Sequence, residues 1–335
     1  MKKLIVHIGL PKTGTSSLRD FFRLNAHYLN EKKIFLPLLD NIQLKDAFLQ
    51  DAALSKRSFR PSHYSSWEDK VSASKNNYER LVDFAENLND DDILILSSEF
   101  FAGKKTDIPK LKKYADDFFD DVRVIVYLRE QGSWAVSSAS TRALNGKGIS
   151  LLRPGEMAHM DYKYLLSKWS ASFSKEQLIV RRYGKNYLKN QDTIADFIDS
   201  LDLPLECKKI KRQSDARVSE SATAIKYLFC LNYLLRQGDI ELDEPKRRKY
   251  ARQICELNRD GSVLTLSREL ADSYRAFYSS SNEWVVRNFC NDELSELFHP
   301  FKVKSSNSNK VLDENNLLVD LEMINQVLSY LKSLN

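Results

Sequence analysis

Ile5-Val6-His7-Ile8-Gly9-Leu10-Pro11-Lys12-Thr13-Gly14-Thr15-Ser16-Ser17-Leu18 decides how the rest of the chain is read. Leu4 to Ile8 form a short apolar run suited to a buried strand. Two glycines follow, Gly9 and Gly14, and a helix is expected from about Thr15. Glycines let backbone N–H groups turn toward an anion, and a helix N-terminus adds partial positive charge. In outline the loop is a phosphate cradle. A nucleoside-triphosphate loop reads G-x-x-x-x-G-K-[ST], with its lysine after the second glycine. Gly9 and Gly14 have that separation, but Thr15 stands where the lysine belongs, and Lys12 precedes the second glycine.

Pro-Lys-Thr-Gly-Thr-Ser-Ser-Leu, placed directly after a first strand, resembles the 5′-phosphosulfate-binding loop of sulfotransferases, enzymes that use 3′-phosphoadenosine 5′-phosphosulfate (PAPS). The resemblance implies an arginine at the end of a later strand and a serine eight residues on, holding the 3′-phosphate. Residues 122–128 read Val-Arg-Val-Ile-Val-Tyr-Leu, Arg129 follows at once, and Ser137 lies eight positions further in an expected helix. Arginine can grip phosphate with two parallel hydrogen bonds. The structural alternatives are an Arg129 ion pair with Glu130 or Asp121, and a helix-packing role for Ser137, with Ser138 or Ser140 in its place.

The 335 residues are 42% hydrophobic and 29% charged, as in ordinary globular proteins, and no stretch approaches the ~18 apolar residues of a membrane span. The opening Met-Lys-Lys-Leu-Ile-Val is read as the first strand rather than a leader, because its apolar run is short and ends in the loop. The four cysteines are far apart and form no C-x-x-C pair, which suits reduced thiols and a cytoplasmic location, with no metal site. A net charge of +5, with basic clusters at 208–212 and 246–249, lacks the coherent basic face with aromatics that nucleic acid requires.

Strand and helix patterns alternate over the first 200 residues: strands at 4–8, 33–37, 93–96, 122–128 and 178–182, helices at 15–25, 76–89, 107–117, 132–144, 161–173 and 191–201. This predicts an α/β, P-loop-type three-layer fold, a central parallel sheet flanked by helices. Residues 38–75 lack a clean period and are read as a variable, partly helical excursion near the site. From about 218 strands are expected to stop, with helices at 219–236, 245–258, 266–279, 282–289 and 317–333 and a polar loop at 303–315. The expected organisation is a core of 1–217 and a C-terminal helical extension of 218–335. Ligands in such sheets bind at the carboxyl ends of strands, where Lys12, Glu99, Arg129 and Tyr183 all fall.

The wider resemblance is to bacterial glycan-type sulfotransferases. It is carried by Ser97-Ser98-Glu99-Phe100-Phe101, Tyr127-Leu128-Arg129 with Gln131 and Trp134, Asp161-Tyr162 with Trp169, Val180-Arg181-Arg182-Tyr183, and Asn282-Glu283 ahead of Leu297-Phe298. It implies sulfuryl transfer from PAPS to a hydroxyl or amine of a carbohydrate-like acceptor, by in-line displacement and without a metal. Pro11, Lys12, Thr13, Gly14, Thr15 and Ser16 would hold the 5′-phosphosulfate, with Lys12 on the leaving oxygen, and Tyr183 would contact adenosine. The base is Glu99 or His63; a helix cap or a salt bridge to Lys104 or Lys105 competes for Glu99, and an exposed loop histidine is the alternative for His63. Lys208 to Arg212 could close over the 3′-phosphate, and Arg181 or Arg182 could meet an acidic acceptor.

Overall fold

Residues 1–37, 40–54, 63–148, 152–213, 220–260, 263–290, 296–299, 311–312, 325, 327 and 329 are described by the structure, a computed structural model. Lys3–Ile8 (β1), Ile93–Ser98 (β3) and Asp121–Arg129 (β4) are nearly continuous apolar runs, and such strands must be covered on both faces. With Ile34–Phe35 (β2) and Leu178–Tyr183 (β5) they form one parallel sheet in the order β2-β3-β1-β4-β5. Ile8 stands opposite both Ser98 and Val126, and Arg129 opposite Tyr183, so the strands end along one edge. β2 is shorter than the expected 33–37: Lys33 has a positive φ of 59°, and Pro37 has no N–H to donate.

Helices flank the sheet. Along the chain the helices among the described residues are Thr15–Leu24 (α1), Ala26–Glu31 (α2), Asn41–Ala47 (α3), Asp51–Leu54 (α4), Trp67–Glu86 (α5), Ile108–Phe118 (α6), Gln131–Leu144 (α7), Tyr162–Ser170 (α8), Thr193–Ser200 (α9), Ala222–Gln237 (α10), Glu244–Leu257 (α11) and Arg268–Phe289 (α12). Alternation along β1, β3 and β4 puts Ile5, Ile95, Ile125 and Tyr127 on one face, where Leu18, Phe21 and Phe22 of α1 and Ile194, Phe197 and Ile198 of α9 complete a core. Leu4, Val6, Leu94 and Val124, on the opposite face, are equally buried. α5 begins well before the expected residue 76, because Ser66 caps it: its Oγ accepts from the Asp69 N–H, with Glu68 and Asp69 in the first turn.

The chain divides into two compact units. One comprises Met1–Arg129, Ala158–Ser214 and Ser281–Leu297; the other comprises 130–157, 215–280 and the residues from 298 onward. The division differs from the expected cut at 217/218, since α7 belongs with the later helices. In that second unit α10 packs on α7 and α11, and Asn232 Nδ2 donates to the Ala143 and Gly148 carbonyls, at 2.9 and 2.9 Å. Strands do not stop at 218: Thr265–Leu266 (β6) pairs in parallel with Val311–Leu312 (β7). The two helices expected at 266–279 and 282–289 are one, α12, kept continuous by buried positions Tyr274, Tyr278, Ser281 and Val285 at helical spacing. The expected loop at 303–315 and helix at 317–333 lie largely outside the described residues; Asn325, Val327 and Ser329 are helical.

Two buried polar groups tie the sheet to its helices. Asp196 on α9 is fully buried and accepts hydrogen bonds from Tyr127 Oη (2.9 Å), Arg181 Nε (3.0 Å) and the Lys189 N–H (2.9 Å), joining β4, β5 and α9. Arg181, a candidate for the acceptor, is thereby committed to structure. Asp196→Ala leaves the buried Tyr127 hydroxyl and the Lys189 N–H without an acceptor and the partly exposed Arg181 without its counter-ion, so it should lose about 2–4 kcal/mol of stability in urea unfolding. His7 on β1 is fully buried, with Nδ1 2.8 Å from Ser97 Oγ and with Nε2 unpartnered. Burial pushes its pKa down to about 4. The unfolded chain takes up this proton near pH 6.5, whereas the folded chain resists until about 4. Stability from this group is therefore full above pH 6.5 and falls as pH drops toward 4. His7→Asn should remove about 2–3 kcal/mol of the loss between pH 7 and 4.5, read by urea unfolding at both values.

Candidate active site

The chain leaves β1 through Gly9, whose N–H donates to the Ser98 carbonyl of the neighbouring strand at 3.0 Å. It turns at once: Leu10 N–H bonds Ile8 O at 2.9 Å, and the buried Thr13 hydroxyl donates to Leu10 O at 2.7 Å. Thr13 is thus a strut of the loop. Lys12 (φ 67°) and Gly14 (φ 82°) both adopt left-handed backbone, which is strained for lysine and easy for glycine. Gly14 starts α1, whose first turn holds no side-chain cap and no acidic residue. A Cβ on Gly14 would come within 2.8 Å of Thr193 Cγ2 and 3.1 Å of the Tyr183 ring, so only glycine lets the loop lie against β5 and α9.

Arg129, at the end of β4, donates from Nη1 to the Lys12 carbonyl at 2.8 Å. Its guanidinium also lies 5.5 Å from the centroid of the half-buried Tyr183 ring, a cation–π distance. The chain runs from β1 toward β2 and β3, and from β4 toward β5, so the order reverses between β1 and β4, where open α/β sheets bind ligands.

Glu99 follows β3 and stands on the other side of the loop. Its Oε1 accepts from Thr15 Oγ1 at 2.8 Å and lies 3.7 Å from Arg19 Nη2. The carboxylate is 39% exposed and therefore open to solvent. Thr15 and Arg19 are four residues apart and share one face of α1, a spacing that flags Arg19 once Glu99 is placed. Glu99, Arg129 and Tyr183, from three separate strand ends, thus surround the loop that follows β1, with Pro11, Lys12, Thr13, Gly14, Thr15 and Ser16 inside it.

Ser137 lies in α7, half-buried, in the second unit, with its carbonyl accepting from Thr141 Oγ1 at 3.3 Å. Glu130 caps that same helix through the Gly132 and Ser133 N–H groups. Asp121, the other expected rival for Arg129, pairs with Lys3 and Arg123. His63 is exposed, with no hydrogen bond or ion pair among the described residues. In the 208–212 cluster, Arg212 pairs with Asp192 at 2.5 and 3.0 Å, and Lys209 with Glu206 at 2.6 Å. Arg182 lies over the Tyr187 ring at 4.4 Å. Thr193 carries no signal in the sequence; only the α9 cap formed by Asp192 marks its neighbourhood.

No family model matches the chain. An uncharacterized protein of Archaeoglobus fulgidus is 24% identical over 202 residues, 58% of this chain, and the match spans about half (53%) of that relative's length. Among solved structures, a sulfotransferase from Alicyclobacillus acidocaldarius is similar at a TM-score of 0.39 and 12% identity, over 86% of this chain and 96% of that one. The sulfotransferase domain from the curacin biosynthetic pathway is similar at 0.38 and 13%, over 84% and 97%. Overlap at this level fixes neither family nor activity.

Gly14→Ala should cost about 1–3 kcal/mol of stability through its left-handed backbone and the Thr193 contact. Thermal unfolding, together with faster amide exchange confined to residues 10–18, checks it.

Proposed function

We propose that the chain is a sulfotransferase that moves a sulfuryl group from PAPS to a hydroxyl or amine of a carbohydrate-like acceptor. The observation that carries this reading is the joining of two separate phosphate-type elements. Arg129, at the end of β4, bonds the carbonyl of Lys12, the loop lysine that precedes the second glycine.

In this reading the uncapped N-terminus of α1, with the hydroxyls of Thr15 and Ser16, holds the 5′-phosphosulfate. Lys12 neutralises charge on the departing phosphate oxygen. Arg129 takes the 3′-phosphate, a role the Arg-x7-Ser spacing alone extends to Ser137, and the Tyr183 ring lies along the adenosine. The acceptor oxygen forms its bond to sulfur as the bond from sulfur to the 5′-phosphate oxygen breaks, and adenosine 3′,5′-bisphosphate leaves. Such in-line transfers demand position and charge neutralisation more than covalent help.

Glu99 is the favoured base, because it already holds Thr15 at the rim of the loop and is open to solvent. His63 is the less favoured, since no hydrogen bond or ion pair among the described residues fixes its ring. A cytoplasmic location and a metal-free reaction belong to the same proposal. No helix among the described residues is long and apolar enough to cross a membrane.

Thermal unfolding with adenosine 3′,5′-bisphosphate, set against ATP with magnesium, tests the cofactor. A ligand at 100 times its Kd adds about 2.7 kcal/mol of native-state stability. The expected result is a shift with the bisphosphate alone, lost in Arg129→Ala, with Lys12→Ala folded and inactive. A shift with ATP and magnesium alone would move the protein to the kinases. Bisphosphate binding without turnover of any acceptor would make it a non-catalytic relative.

A further inference from the structure

The turn that leaves Glu99 carries a second arrangement. Glu99–Ala102 is a single 3₁₀ turn, closed by Gly103 N–H to Phe100 O at 2.9 Å. Phe100 is 41% exposed, and Lys45 Nζ sits 5.0 Å from its ring centroid. Tyr164 on α8 is 42% exposed, and both Lys104 and Lys168 place Nζ 5.9 Å from its ring. α8 reaches the same turn through Lys168, whose Nζ also donates to Gly103 O at 3.4 Å. Large exposed aromatics are few among the described residues, and these two lie in the same compact unit as the loop.

The turn is rigid. Gln50 N–H donates to Lys105 O at 3.0 Å, Asp107 N–H to Phe48 O at 2.7 Å, and the Thr106 hydroxyl to Phe100 O at 2.8 Å. Lys45, Lys104 and Lys168 gather around it. Lys168 has its pKa lowered by burial and by Lys104, and Lys70 by burial and by Lys105 and Lys45, though Asp46 opposes this. Of the nearby carboxylates, Asp46 is buried against Lys45 and Tyr64, Glu99 is held by Thr15 and Arg19, Asp107 caps α6 through the Lys110 N–H, and Asp161 caps α8 through the Tyr164 N–H. Lys104 and Lys168, each 5.9 Å from the Tyr164 ring, place two positive charges side by side for an anion, and the exposed rings beside them offer a flat apolar surface.

We infer that Phe100, Tyr164, Lys104 and Lys168 form an acceptor subsite for an acidic sugar. The rings take the C–H faces of the pyranoses, and the lysines take a carboxylate or sulfate. The inference rests on the sulfotransferase reading, because it is the continuity of this turn with Glu99 that makes the patch an acceptor surface. Neutral sugars lack the group the lysines match, and inorganic anions lack the faces the rings match.

The test is calorimetric titration of the full chain with a non-sulfated chondroitin hexasaccharide and with the same hexasaccharide after its carboxyls are reduced to alcohols. Circular dichroism confirms that each variant is folded. The acidic form should bind about tenfold more tightly than the reduced form. The double variant Lys104→Gln/Lys168→Gln should erase that preference. Phe100→Ala and Tyr164→Ala should each weaken binding of the acidic form about fivefold. Lys75→Gln, an exposed lysine elsewhere on α5, should change nothing.

Equal binding of the two hexasaccharides, or full binding by the lysine double variant, would overturn the subsite. So would indifference to removal of both rings, which would leave a patch for any anion. Adenosine 3′,5′-bisphosphate titrated in the same cell separates the two readings. Bisphosphate binding with no hexasaccharide binding sinks the subsite alone, and the converse sinks the sulfotransferase reading while the sugar surface stands.

Discussion

The Arg129 guanidinium reaches across 117 residues of chain to the Lys12 carbonyl, and the geometry of the site depends on that bond. It is possible because β1 and β4 are parallel neighbours in register, so the residues that follow them emerge at one edge. The loop it meets is strained at Lys12 and permitted at Gly14. Such backbone persists only where the surroundings fix it. Here Thr13 holds the loop from within, Thr193 and Tyr183 press on it from β5 and α9, and Arg129 takes up a carbonyl that the turn leaves exposed.

Around that loop the two sides differ in chemistry. On the β4–β5 side are a guanidinium and an aromatic ring. On the β3 side are a carboxylate, an exposed ring and several lysines. A central strand flanked by unlike partners lets one short loop face both. The buried Asp196 network holds the first side by locking β5 to α9, at the cost of using Arg181 for structure. The Phe48–Asp107 and Gln50–Lys105 backbone bonds hold the second.

Most of this site is legible in the chain because its signals are local. The lysine before the second glycine, the arginine that ends an apolar run, and Glu99 after Ile93-Leu94-Ile95-Leu96 each need only a few consecutive residues. What the sequence hid is what depends on distant partners. Thr193 matters because α9 packs back on Gly14, and no spacing in the chain announces that. Arg19 becomes visible only once Glu99 is placed. The short β6–β7 pair joins residues 46 apart, Thr265 with Val311 and Leu266 with Leu312, too few for any periodicity. The break expected inside α12 failed for the same reason: weak helix formers from Ser279 to Asn282 are overridden by the burial of Tyr278, Ser281 and Val285.

The sequence by itself determined the parallel sheet, its loop, and the residues standing at its strand ends. Periodicity, glycine position and strand length are properties of neighbouring residues, and neighbours are all that a chain displays. The tertiary structure decided the strand order that gathers those ends, the assignment of α7 to the second compact unit, and which cations are already paired. It committed Arg181 and Arg212 to Asp196 and Asp192, and it left Lys104 and Lys168 beside an open ring. Charge and aromaticity can be counted along a chain, but whether a lysine meets a carboxylate or a ring face depends on packing between elements that the chain keeps far apart.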